Sequence, residues 1–171
     1  MLRIGNEILL GQYMAAIGTL ENAVNACPDD LWGDPSRRPE WKPDGVVGFW
    51  YLAYHALFYL DLYLSGTMDG FHPPAPFNLD EADPAGLLPD KPYTKAEVQA
   101  YLEHCRAKCR TTIEGLTDAD LDRVCTFSWT TKPYIQVLLD NMRHVQHHAA
   151  QLNLLLRQNT SSAPKWVRST L

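Results

Sequence analysis

The stretch from Val46 to Leu64, VVGFWYLAYHALFYLDLYL, constrains this chain more than any other segment, because it is apolar or aromatic on nearly every side. Its length is about what a membrane-spanning helix needs. It nevertheless carries His55 and Asp61, it is the only such run, and the mean hydropathy of the chain is -0.26. Ionisable groups at mid-membrane depth are costly. A helix that is apolar all round is satisfied equally well when other protein elements enclose it. The run is therefore expected to be a buried helix in a protein that does not span a membrane. Its cover must come from several other helices or from a second subunit.

Those other helices are visible in the spacing. Ile4, Ile8, Met14, Ile17, Leu20 and Val24 recur at helical intervals over residues 3–26, and Pro28 onward ends the pattern. The apolar run forms the second helix, with Asp44 as expected N-cap and Gly66 as its stop after Ser65. Residues 66–92 then hold six of the 12 prolines and predict a long irregular crossover. Both a functional cover and a structural strap fit that segment.

The third helix opens on a capping box, Thr94-x-x-Glu97, and its stripe of Val98, Leu102, Cys105, Cys109 and Ile113 ends near Gly115. Asp118, Asp120 and Asp122 alternate as in a calcium loop, but the required Gly and terminal Glu are missing; a solvated helix start is the expected reading. The fourth helix is expected from Pro133 to about Gln158, after which Trp166 and Val167 could dock back onto the helices. Four helices, one long crossover and no strands predict an all-α four-helix bundle, with residues 1–171 forming one domain.

Charge and cysteines narrow the function classes. There are 15 Lys and Arg against 20 Asp and Glu, giving a net charge of -5 without any basic block. That excludes binding along a nucleic-acid backbone. Cys27, Cys105, Cys109 and Cys125 contain no C-x-x-C pair, so a zinc ribbon fails on spacing, and reduced core thiols are expected. Glu7 interrupts any apolar core of a leader segment. A cytoplasmic protein is the expectation.

Histidine is the unusual residue. There are six, and His144, His147 and His148 fall within five positions. On a helix His144 and His148 lie about 40° apart at the edge of the apolar arc, whereas His147 points away. An i,i+4 imidazole pair can hold one metal ion, but a stable site needs a third ligand. His55, in the middle of the most apolar helix, supplies it: burying that imidazole without a partner costs about 1–3 kcal/mol. A hydrogen-bonded core histidine is the competing reading for each residue taken singly. His72, among prolines, and His104, off the third helix's inner stripe, are expected at the surface, although His72 reaches the site if the crossover folds over it. Gln151, beside the pair, and Asn141, one turn before it, are candidates to orient a metal-bound water or ligand. The tyrosines and tryptophan of the second helix (Trp50, Tyr51, Tyr54, Tyr59, Tyr63) serve either as core and subunit interface or as pocket lining.

With His55 in WYLAYHALFYLDLYLSG, His144 and His148 in RHVQHHAAQLN, and the C-terminal PKW, the chain resembles the DinB/YfiT-like metalloenzyme family over nearly its whole length. Its H-x-x-H-H-x-x-Q pattern is complete through Gln151, with Ala150 where the family commonly has Gly. The resemblance implies an up-down-down-up four-helix bundle and a divalent metal, zinc or nickel, on His55, His144 and His148. It also implies open positions for a small-molecule substrate and a low-molecular-weight thiol as possible co-substrate of a transferase. No catalytic residue follows from it. The alternative is a non-catalytic metal-binding bundle for structure, sensing or small-molecule binding. The apolar second helix separately predicts a homodimer.

Overall fold

The computed structural model describes residues 5–34, 48–78, 80–82, 89 and 91–169. The protein is mostly helical. Four long helices, α1 (Asn6–Ala26), α3 (Phe49–Ser65), α4 (Lys95–Glu114) and α6 (Tyr134–Thr160), are joined by two short ones, α2 (Asp29–Trp32) and α5 (Asp118–Asp122). Helix α1 packs on α4 and α6, and α3 packs on the same two. Asp44, the expected cap of the apolar helix, lies outside the described residues, and α3 starts after Gly48. No helix among the described residues is long and apolar enough to cross a membrane.

The apolar run finds its cover within its own chain. Every residue of α3 from Phe49 to Tyr54 is buried, as are Ala56 to Phe58 and Leu60 to Leu62. Phe77 and Tyr93, from the crossover, lay their rings against Tyr54 at 5.4 and 5.1 Å, so the proline-rich segment closes the side that α4 and α6 leave open. Asp61, the run's second polar residue, accepts hydrogen bonds from Tyr101 Oη at 3.0 Å and Lys108 Nζ at 2.5 Å. Most of the cover that α3 requires is thus supplied within its own chain.

Helix ends follow local chemistry. Thr94 and Glu97 form the expected reciprocal cap, and Thr117 with Asp120 forms another on α5, so the aspartate-rich turn is a helix start. At the end of α3, Gly66 adopts φ +70, a left-handed conformation that closes the helix through hydrogen bonds to Leu62 and Tyr63. A Cβ there would also collide with the Arg123 guanidinium, which rests on the Tyr134 ring at 3.9 Å. Gly66→Ala should therefore cost about 1–2 kcal/mol for the left-handed conformation, plus displacement of Arg123. Chemical denaturation should show a lowered midpoint with an unchanged slope.

One element departs from the expected all-helical order. Val124–Phe127 (β1) and Thr130–Pro133 (β2) pair antiparallel, with Phe127 opposite Thr130. Cys125 and Phe127 face inward while Val124 and Thr126 face out, the period-two alternation of a half-buried strand. Pro133 ends β2 and caps α6 instead of occupying its first turn. In the tail Val167 N donates to Thr19 Oγ1 of α1 at 3.4 Å, but Trp166 stays 65 % exposed.

Candidate metal centre

Helices α3 and α6 lie side by side, held by Tyr134 Oη donating to Leu64 O at 2.6 Å and Asn141 Nδ2 donating to Leu60 O at 3.2 Å. Asn141 is thus a buried tether between the helices. This pairing brings His55 of α3 to the one-turn pair on α6. His144 Nε2 stands 3.3 Å from His55 Nε2 and 3.0 Å from His148 Nε2. A tetrahedral ion with metal–nitrogen bonds of about 2.0–2.1 Å sets its donors ~3.3 Å apart. Among the described residues these three form the one group of His, Cys, Asp or Glu side chains able to share an ion.

Tautomers follow from the outer partners. His55 Nδ1 lies 3.0 Å from Glu81 Oε2; a carboxylate only accepts, so this nitrogen carries the proton and Nε2 presents its lone pair to the cluster. His148 Nδ1 meets Gln151 Oε1 at 2.7 Å with the same consequence. Gln151 therefore aims a ligand ring, where the sequence suggested a partner for bound water. His144 Nδ1 is buried without a partner.

Burial, followed by the neighbouring His148 and His55, holds the His144 imidazole down to about 2. Burial and His55 hold His148 down to about 3, against the raising effect of Gln151. Neutral imidazoles are the form a metal requires. Three imidazole nitrogens converging at this separation form a group able to hold a cation. The residues present fit a divalent metal.

The sign of the pH dependence follows. Unfolded histidine titrates near 6.5, whereas folded His144 and His148 stay neutral far below it. Between those limits the unfolded chain binds more protons, so stability is fully present above about 6.5 and is lost as pH falls below it. The thermal midpoint of chelator-treated protein should drop from pH 7 to pH 5, and His144→Ala should flatten that slope.

Glu81, in the crossover, has no counterpart in the sequence reading. Its side chain is 4 % exposed, and Oε2 also accepts from Tyr51 Oη at 2.8 Å. Burial and Glu81 raise the Tyr51 phenol, keeping it a donor. Tyr59 covers two ligands, its ring 4.9 Å from His55 and 5.3 Å from His144. The described part of the crossover thus supplies the outer partner of one ligand ring as well as a strap on α3.

The remaining histidines stay apart. His72 is exposed and outside the cluster; His147 is exposed beside His148; His104, also exposed, sits 3.6 Å from Asp61. All four cysteines are buried and unpaired, and burial pushes the Cys27 and Cys109 thiols up to about 12.

The DinB superfamily profile matches residues 12–152, from α1 through the His144–His148 turn of α6. The chain belongs to the DinB superfamily. Among solved structures it is similar to a DinB-like protein, YjoA, from Bacillus subtilis, with 15 % identity and a TM-score of 0.61. That match covers 94 % of this chain and 98 % of the other, and it establishes a shared DinB-like fold. Comparison with curated proteins finds no match.

Proposed function

We propose that this DinB superfamily member is a metal-dependent transferase that holds one divalent ion, zinc or nickel, on His55, His144 and His148 and joins a low-molecular-weight thiol to an organic electrophile. The observation that carries the reading is the convergence of three imidazole Nε2 atoms, without a fourth ligand among the described residues. Such a set leaves positions for water or substrate, as catalytic zinc sites do. The metal, when bound, supplies Lewis acidity that stabilises a thiolate near neutral pH.

The chain's own groups supply the rest. Glu81 and Gln151 fix two ligand rings, and Tyr59 shields His55 and His144 on one side. His144 also lines an open depression of about 670 Å³ with Asp140, Arg143, Gln146, His147 and Ala150. In the transfer the thiol loses its proton to solvent, sulfur bonds to the electrophilic carbon, and the leaving group departs with the electron pair. The proposal includes the up-down-down-up order of the long helices and a homodimer, which a 19.4 kDa species in sedimentation at micromolar concentration would contradict.

The test is thiol consumption by protein stripped of metal and then reloaded with zinc or nickel, offered a panel of thiols and an alkyl halide. Turnover should require both metal and thiol. Equal rates without metal would contradict the reading, and metal-loaded protein inert toward every thiol would favour the non-catalytic alternative.

A further inference from the structure

Trp129 is unexplained by fold or metal. It sits in the two-residue turn between β1 and β2, where turn chemistry selects Gly, Asn or Asp. Core burial does not explain it either, since it remains 43 % exposed. It is nonetheless fixed: the ring stacks on Phe127 at 5.6 Å and 19°, and Nε1 donates to Tyr63 Oη at 3.1 Å. Beside it is a cavity of about 240 Å³ lined by Tyr63, Phe127, Trp129, Lys132, Val137 and Asp140, together with Thr130.

Two connections join this cavity to the three histidines. Tyr59 touches His55 and His144 and also meets the Trp129 ring at 5.9 Å, so one aromatic wall runs from ligands to hairpin. Asp140, one helical turn before His144, lines both this cavity and the depression that contains His144. The charge there is unbalanced. Asp140 pairs with Lys132 at 2.6 Å and with Arg143 at 3.3 Å, so two cations share one carboxylate in a chain that is acidic overall.

We propose that this cavity is a substrate subsite for a planar apolar group bearing one negative charge, such as an aromatic carboxylate, with Trp129 as its stacking wall and Lys132, the one cation of its lining, as its charge partner. Flat rings stack favourably on indole, and the Lys132 ammonium, whose partner Asp140 is shared with Arg143 outside the cavity, favours an anion. The inference rests on the proposed function in taking the bound molecule to be the substrate of the metal site; the binding itself is independent of metal.

The probe is 2-naphthoate, titrated into metal-loaded full-length protein while the Trp129 indole N–H resonance is followed in the wild type and the fluorescence of the naphthoate itself reports binding in every variant. That resonance should shift saturably. Trp129→Ala should weaken binding about tenfold, Lys132→Met about threefold, and Trp129→Phe, which keeps a ring in place, should stay close to wild type. Unaltered metal content in all three variants shows that the first site is intact. An unmoved indole resonance, or a Trp129→Ala protein that binds the probe as tightly as wild type, overturns the subsite. Repeating the titration on metal-free wild type separates the two readings: naphthoate binding there survives a failure of the metal reading, and absence of naphthoate binding at full metal occupancy sinks the subsite alone.

Discussion

Replacing His148 with alanine should yield a folded protein that retains almost no metal. His148 is 4 % exposed and its Nε2 lies 3.0 Å from that of His144, so the substitution removes one of three donors and leaves two, which bind a divalent ion poorly. Loss of an outer partner of a ligand typically costs 10–100-fold in affinity, so loss of the ligand itself should exceed ~100-fold. Elemental analysis after desalting should find about one metal per wild-type chain and a trace in the variant. His55→Ala should behave alike although it lies 89 residues from His144 in the chain. His147→Ala, only one residue from His148, should keep its metal, because His147 is exposed and outside the cluster. Folding must be checked alongside. Removing a buried imidazole leaves Gln151 Oε1 without its donor, but Leu152, Ala149 and Val145 still pack the inner face of α6.

The second large effect is expected from a residue that touches no metal. Glu81→Ala should weaken metal affinity about 10–100-fold, measured by competition with a chromogenic chelator. Glu81 Oε2 holds the Nδ1 proton of His55; without it the ring is free to rotate or to adopt the tautomer whose Nε2 bears hydrogen and cannot ligate. Glu81→Gln keeps an acceptor but not the charge, and should fall between wild type and alanine. Tyr51→Phe is the control. It removes the other donor to Oε2 at 2.8 Å while leaving the bond to His55, so it should lower thermal stability more than metal affinity. Equal affinity losses in Tyr51→Phe and Glu81→Ala would mean that the crossover acts only by packing.

The contrast between these residues shows what a linear sequence reveals. His144 and His148 are legible because helical periodicity fixes their relative direction once the helix is assumed. His55 is legible because a lone imidazole in an apolar helix is costly unless something partners it. Glu81 is not. It lies in a proline-rich segment without periodicity, and its approach to His55 depends on how Phe77 and Tyr93 seat the crossover on α3. The hairpin left a signal that went unread: Val124, Thr126, Thr130 and Thr131 are β-branched, and Cys125 and Phe127 alternate with them. Strands of four residues are too short for periodicity to stand out between helices. Apolarity along α3 states that cover is required but not who provides it, and here the same chain provides most of it.

The central claim is that one divalent ion sits on three imidazoles with positions left open. X-ray absorption at the edge of zinc- or nickel-loaded wild-type protein tests it directly. The account predicts three histidine nitrogens at about 2.0–2.1 Å, the remaining ligands being oxygen from water and none being sulfur of the protein. A first shell containing thiolate sulfur at about 2.3 Å, which would recruit the buried cysteines, or a shell with fewer than three imidazoles, would contradict it.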